Sequence, residues 1–168
     1  LAPCGMFSNP NNCQIFWNIA GNVFLESNQD CIQNNDEPNL NSIKVMLKQG
    51  SEVIQQAFTN INGWYSFNTD LTEYLVVVDT LDTPFQPICP IDNTIICNPG
   101  SNGDTLLTGI TFGLACEPGF DLSAISMVHT GGLFFPMQIA TLKYTCGDLA
   151  SAYGATCNTA GIAGGVRF

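Results

Sequence analysis

Apolar and polar residues alternate along much of the chain in short runs that end at turn residues. Ile43, Val45 and Leu47 alternate with Lys and Met side chains, which predicts a half-buried strand ending at a glycine. Because no run has the periodicity of an amphipathic helix, the pattern predicts an all-β protein built as a sandwich. The other predicted strands lie at 18–26, 52–59, after an Asn-Gly turn within 60–69, at 73–81, and at 105–116 as one strand or a bent pair. Four prolines make 84–104 an edge excursion or a long loop.

The predicted strands divide the chain into three parts. Residues 18–116 hold one complete series, and the sequence Cys-Glu-Pro-Gly that closes it predicts a boundary. Residues 117–168 predict a second Ig-like β unit, with strands in 120–132 and 133–147. At about 50 residues this unit is shorter than a complete sandwich. Residues 1–17 are expected to be a lead-in segment or the end of a preceding unit, and the chain a processed protein or a fragment of a longer one.

Charge and composition exclude two classes of partner. The 168 residues include 14 acidic and four basic residues, which gives a net charge of −10. Phosphate backbones need basic partners, so nucleic-acid binding is not expected. Membrane insertion is not expected either, because no apolar run approaches the roughly 18 residues of a membrane span. The acidity favours divalent cations or simple solubility.

The chain has eight cysteines, an even number that favours disulfides and an oxidising, extracellular compartment. Free thiols remain an alternative, whereas a zinc site is disfavoured because no Cys-x-x-Cys pair occurs. Connectivity does not follow from sequence, although short spacings favour Cys4–Cys13, Cys89–Cys97 and Cys146–Cys157. That arrangement would leave Cys31 to pair with Cys116. The disulfide candidates are Cys4, Cys13, Cys31, Cys89, Cys97, Cys116, Cys146 and Cys157.

An acidic, amide-rich stretch between the first two predicted strands has the spacing of a calcium loop. Counted from Glu26 as position one, oxygen-bearing side chains stand at positions one, three, five, nine and twelve, and position seven needs only its carbonyl. Cys31 stands at position six, where such loops have glycine. The expected affinity is weak, on the order of 10⁻⁴ to 10⁻³ M, and a solvated polar loop is the alternative. The predicted Ca²⁺ ligands are Glu26, Asn28, Asp30, Ile32, Asn34 and Glu37.

The same stretch, with the strands that follow it, resembles the SdrD B-like or Cna-B-type domains of bacterial surface proteins. The resemblance covers about residues 18–116 and rests on the loop Glu26–Glu37, the strand Ile43–Leu47, the turn and strand Thr59–Phe67 and the strand Tyr74–Val78. It implies a calcium-stiffened, Ig-like β-sandwich in a secreted stalk that projects an adhesive tip. Residues 117–168 resemble, more loosely, long multidomain surface proteins of Bacteroidetes. The isopeptide bond of some members is not expected, because the first strand lacks Lys and the last lacks Asn.

Catalysis is not expected, because an enzyme needs a positioned acid, base or nucleophile. The single histidine, His129, is expected to be a half-exposed strand residue, and Asp79 and Asp82 to be solvated charges at a strand end. Trp64 with Tyr65 would form a sugar-stacking platform, but alternation puts the two on opposite faces of a strand, so at least one of them is expected in the core; Trp64 is the candidate platform.

Two functions therefore stay open at this point. The first is a structural or interaction segment of an extracellular, cell-surface stalk, adhesin or filament. Its partners would be neighbouring domains of the same long chain, other copies of itself, or host and environmental glycans and proteins. The second is a carbohydrate- or protein-binding module attached to a secreted enzyme.

Overall fold

The chain is described here from a computed structural model. It describes residues 17–100, 106–118, 122–129, 136–137 and 142–157, and for 122–129, 142, 144 and 145 the backbone without the side chain. The strands are β1 (Ile19–Leu25), β2 (Lys44–Gln49), β3 (Glu52–Phe58), β4 (Trp64–Phe67), β5 (Tyr74–Asp79), β6 (Phe85–Cys89), β7 (Thr94–Cys97), β8 (Phe112–Cys116), β9 (Leu122–His129) and β10 (Leu142–Asp148). A 3-10 helix follows at Leu149–Tyr153.

Eight of these strands form two four-stranded sheets. The first sheet has the order β4-β1-β8-β6 and the second the order β3-β2-β5-β7. Neighbours are antiparallel except β1 and β8, which run parallel. The predicted all-β sandwich is confirmed. The described part of the proline-rich segment 84–104 contains β6 and β7, and each is an edge strand. Pro87 lies in β6, and edge strands accommodate proline where its nitrogen faces away from the ladder.

The core lies between the two sheets because alternate residues of each strand point inward. Val45 and Leu47 of β2 are fully buried, as the alternation predicts. They belong to the same apolar cluster as Ile19 and Val23 of β1 and Phe112 of β8. Burying a side chain of this size contributes roughly 1.5–3 kcal/mol, so the alternating strands supply the main stabilisation of the sandwich.

The segment after β8 contacts the sandwich. Strands β9 and β10 form an antiparallel two-stranded sheet with a register shift between Thr145 and Cys146. Ala150 of the 3-10 helix is fully buried in the sandwich core cluster. The Tyr153 ring meets the Phe85 ring edge-on at 5.6 Å, and the Tyr153 carbonyl accepts a hydrogen bond from the Asn41 N–H. These contacts cross the boundary predicted at residue 117, and whether 117–168 is a separate unit stays a prediction.

Candidate functional site

The acidic loop, residues 26–37, begins where β1 ends. Gln29 and Cys31 adopt left-handed backbone conformations, with φ of 64° and 62°, which curl the chain tightly. The chain then returns alongside β1, where the Leu25 N–H donates to the Pro38 carbonyl and the Leu40 N–H donates to the Val23 carbonyl, both at 2.9 Å. The loop is therefore closed at its base by backbone hydrogen bonds to the first strand.

Two buried carboxylates organise the acidic loop from its ends. Glu26 and Glu37 are each 3% exposed. The Glu26 carboxylate accepts hydrogen bonds from the N–H groups of Asn28, Gln29 and Cys31, at 3.1, 2.9 and 2.9 Å. Such carboxylate–amide bonds are stronger than neutral ones because the acceptor is ionised.

Glu37 closes the other end of the loop in the same way. Its carboxylate accepts hydrogen bonds from the Asn34 N–H at 2.9 Å and the Ser27 N–H at 2.8 Å. The Ser27 hydroxyl donates a further bond at 2.9 Å. These bonds, that from Asn34 first, lower the pKa of Glu37 from its usual 4.5 to about 2. Glu37 is therefore a carboxylate at neutral pH.

The middle of the loop brings together the other predicted ligands. One Asp30 oxygen lies 3.1 Å from the Asn28 amide nitrogen and 3.2 Å from the Asn34 amide nitrogen. The Asn34 amide also lies 3.0 Å from the carbonyl oxygen of Ile32. The Ile32 N–H donates to the other Asp30 oxygen and, with the Asn34 amide, lowers the pKa of Asp30. Loop positions three, five, seven and nine are therefore linked by direct contacts: Asp30 contacts Asn28 and Asn34, and Asn34 contacts the Ile32 carbonyl.

These residues fit a hard cation in donor type. Ca²⁺ takes carboxylate, amide and carbonyl oxygens, and a carboxylate oxygen that accepts one N–H keeps a second lone pair. Rotation of the Asn28 and Asn34 amides would turn their oxygens towards Asp30. However, Glu26, Asp30 and Glu37 do not form a group whose oxygens all lie within 4.8 Å of one another. The loop would therefore have to contract to use all three carboxylates at once.

Cys31 both makes the sharp turn at position six and anchors the loop. Its sulfur forms a disulfide with Cys89 of β6, and the two Cα atoms are 5.4 Å apart. The bridge passes over Gly113 of β8, the strand between β1 and β6. A Cβ at Gly113 would lie 3.0 Å from the Glu26 Cβ and 3.2 Å from the Cys89 Cβ. A side chain at this position would therefore press on Glu26 and Cys89, which would have to move by a few tenths of an ångström.

Gln33 is a second anchor, and no sequence pattern points to it. Its side-chain oxygen accepts a hydrogen bond from the Asn22 amide of β1 at 2.8 Å. Its nitrogen donates to the Glu37 carbonyl at 3.2 Å and to the Asn39 side chain at 2.9 Å. Gln33 stands at position eight of the loop, for which the calcium pattern specifies no side-chain ligand.

The predicted disulfide pairings are wrong for the described cysteines. Instead of Cys89–Cys97, Cys146–Cys157 and Cys31–Cys116, the structure has Cys31–Cys89 and Cys116–Cys157. Cys97 and Cys146 carry free thiols, the first buried and the second exposed. The short spacings predicted the wrong pairs because segments that are adjacent in sequence can enter opposite sheets of a sandwich, as Cys89 in β6 and Cys97 in β7 do. Cys4 and Cys13 lie outside the described residues.

A second group of carboxylates lines an open cleft of about 540 Å³. This acidic cleft is defined by Asp79, Asp82 and Glu117. Asp79 forms a 3.0 Å ion pair with Lys44, and this hydrogen bond is the main cause that lowers the pKa of Asp79. Asp82 and Glu117 are exposed. The arrangement agrees with solvated charges at a strand end.

Trp64 and Tyr65 face opposite sides of β4, as the alternation predicts. Tyr65 is buried, and its hydroxyl donates to the Ile110 carbonyl. Trp64 is 37% exposed and makes a T-shaped contact with Trp17, with ring centroids 5.3 Å apart. Trp17 thus occupies part of the indole surface that a sugar would need. His129 ends β9, and its side chain lies outside the described residues.

Neither a scan against protein-family models nor a search of curated proteins finds a match for this chain. The resemblance to SdrD B-like domains therefore stays a prediction. Within the described part of the chain, no helix has the length and apolar character needed to cross a membrane.

Proposed function

We propose that the chain is a structural or interaction segment of an extracellular bacterial stalk, adhesin or filament, stiffened by disulfides and calcium. The observation that carries the proposal is the acidic loop itself. Its two buried carboxylates hold five backbone N–H groups between them, and its disulfide fixes it to β6. Hydrogen bonds and a disulfide that fix a loop in this way make it rigid, and a stalk needs rigid domains. The two disulfides among the described cysteines support an oxidising compartment.

Calcium would add to this rigidity. Asn28, Asp30, Asn34 and the Ile32 carbonyl would hold the ion, with Glu26 and Glu37 approaching from the two ends of the loop. The ion would offset the negative charge that the loop concentrates, and it would tie the middle of the loop to its base. Neighbouring domains of the same chain, or other copies of it, are the proposed partners.

Stretching single molecules tests the mechanical role. A tandem polyprotein of residues 1–168 is stretched by atomic force microscopy, first in calcium and then in a chelator. We expect a higher unfolding force in calcium and the same force in both buffers for the Asp30→Asn variant. The Asp82→Asn variant, which changes the acidic cleft, should respond as the wild type does. Equal forces for the wild type in the two buffers would refute the calcium-stiffened stalk.

The part of the Trp64 indole that Trp17 leaves uncovered favours the second candidate, a carbohydrate-binding module. Aromatic faces stack on the apolar faces of sugars, and the exposed side chain of Asn62, two residues before Trp64, carries a hydrogen-bonding amide. A glycan array probed with the wild type and with Trp64→Ala separates the two candidates. Saturable sugar binding that the substitution abolishes would favour the module over the stalk.

A further inference from the structure

The disulfide under the acidic loop lies beside a buried carboxylate. The sulfur atoms of Cys31 and Cys89 and a carboxylate oxygen of Glu26 all lie within 4.8 Å of one another. The distance between the Cys89 sulfur and the nearer Glu26 oxygen is 4.0 Å. Glu26 and Cys89 are almost fully buried, whereas Cys31 is exposed on the outer side. Two sulfurs and one oxygen therefore converge at the edge of the sandwich.

The backbone holds these three groups in place independently of the sulfur–sulfur bond. The Cys31 N–H donates to the same Glu26 oxygen at 2.9 Å, so this hydrogen bond keeps Cys31 beside the carboxylate. Cys89 pairs with Gly113 in the β6–β8 ladder, and Phe24 of β1 pairs with Gly113 from the other side. Breaking the disulfide leaves both anchors intact, so the two thiols stay near Glu26.

Reduction would change what this group can bind. A water-soluble phosphine and one water convert the disulfide to two thiols and leave a phosphine oxide, so the two electrons come from phosphorus. Two thiols that lose their protons, with one carboxylate, give an S₂O donor set. Zinc favours such sulfur-rich sets with tetrahedral geometry, whereas Ca²⁺ and Mg²⁺ favour oxygen. The exposed side of Cys31 leaves access for a water as the fourth ligand.

We propose that the chain with Cys31–Cys89 reduced binds one zinc ion through Cys31, Cys89 and Glu26. The metal would then join the acidic loop to β6 at the place where the disulfide joins them in the oxidised chain. The inference does not depend on calcium, and its test is made without calcium. Because Glu26 is shared with the proposed calcium loop, zinc and calcium would compete in the reduced chain.

The other described thiols are poorer candidates. The phosphine would also reduce Cys116–Cys157, but neither of these cysteines belongs to a group of three donor residues among those described. Cys97 is 1% exposed, and burial raises the pKa of its thiol to about 11, so it yields a thiolate with difficulty. Cys146 is exposed on β10 and belongs to no group of three donor residues among those described. Cys146 therefore provides a matched control for non-specific binding at an exposed thiol.

Metal titration of the reduced chain tests the site. The full chain is reduced with a phosphine, freed of reagent without oxygen, and titrated with Zn²⁺ and with Co²⁺, whose thiolate complexes absorb in the near ultraviolet. We expect Cys31→Ser and Cys89→Ser each to bind one equivalent less than wild type, and Cys146→Ser to bind as wild type does. Glu26→Gln should weaken binding about tenfold or more. Equal binding by wild type and Cys31→Ser would overturn the proposal.

A second measurement needs no variant and so does not depend on how well variants fold. Thiols of the reduced wild type are alkylated with iodoacetamide, with and without Zn²⁺, and each site is followed by peptide mass spectrometry. We expect zinc to slow modification of Cys31 and Cys89 by about tenfold or more and to leave Cys146 unchanged, since bound thiolates are shielded. Unchanged rates at Cys31 and Cys89 would overturn the site.

Discussion

The acidic loop contains four carboxylates and the acidic cleft three, and the two regions differ in what those carboxylates contact. In the loop, Glu26 and Glu37 are buried and accept backbone N–H groups of the loop itself. In the cleft, Asp79 pairs with Lys44 across the sheet, while Asp82 and Glu117 are exposed. Acidity by itself does not distinguish the two regions. What distinguishes the loop is that two buried carboxylates accept five of its backbone N–H groups, whereas in the cleft Asp79 accepts one, that of Leu81.

Removing the covalent anchor of the loop should have the largest effect. The double variant Cys31→Ala with Cys89→Ala opens a disulfide between residues 58 positions apart. We expect a loss of about 4 kcal/mol in the free energy of unfolding, from the chain-entropy model. Urea denaturation measures it, and Cys146→Ala should leave stability nearly unchanged. If the double variant and Cys146→Ala lose equal free energy of unfolding, the disulfide does not anchor the acidic loop as the comparison requires.

Neutralising Glu26 should cost nearly as much. Glu26→Gln keeps the shape of the side chain but turns an amide group towards N–H donors, which leaves at least one donor unpaired. We expect a loss of about 3 kcal/mol, whereas Asp82→Asn in the cleft should stay within about 0.5 kcal/mol of wild type. Asn also tolerates the left-handed conformation of Asp82, whose φ is 62°. Similar losses for the two variants would contradict the comparison.

The loss of folding stability at acidic pH should depend on Glu37. Its pKa in the folded chain is about 2, below the usual 4.5, so the folded chain binds this proton less readily than the unfolded chain. The stability that Glu37 contributes is therefore complete above about pH 4.5 and is lost as the pH falls towards 2. Thermal unfolding between these pH values should decline less steeply in Glu37→Gln than in wild type. Asp82→Asn should follow wild type, and parallel profiles for all three proteins would refute the assignment.

Calcium binding should also distinguish the acidic loop from the acidic cleft, with a smaller change in stability. At a free concentration about ten times the dissociation constant, a single bound ion stabilises the fold by about 1.4 kcal/mol. Differential scanning calorimetry with calcium and with a chelator measures the shift in melting temperature. Asp30→Asn should lose the shift and Asp82→Asn should keep it. A shift retained in Asp30→Asn and lost in Asp82→Asn would place the ion in the cleft.

The smallest effect is expected at the ion pair of the cleft. Lys44 and Asp79 are 34% and 23% exposed, so water screens their attraction. Asp79→Asn should lower the free energy of unfolding by roughly 0.5 kcal/mol, and added salt should reduce the difference from wild type. A loss as large as that of Glu26→Gln would show that the cleft is also built around its carboxylates.

Much of the fold followed from residue patterns that act over short distances. The alternation of Ile43, Val45 and Leu47 predicted a half-buried strand, and all three side chains are fully buried. The opposite orientation of Trp64 and Tyr65 followed from the same period of two. The side chains of Asn28 and Asn34 both contact Asp30, and their role as calcium ligands stays a prediction.

The tertiary structure alone decided what Cys31, Gln33 and Glu26 contact. Cys31 meets Cys89 because β8 lies between β1 and β6 and presents Gly113 beneath them, a strand order that no local spacing encodes. Gln33 reaches Asn22 because the left-handed residues turn the loop back over β1. Periodicity fixes which way a side chain points within its own strand. Which distant side chain it meets depends on how the strands are ordered in the sheets, and that order depends on burying the whole core together.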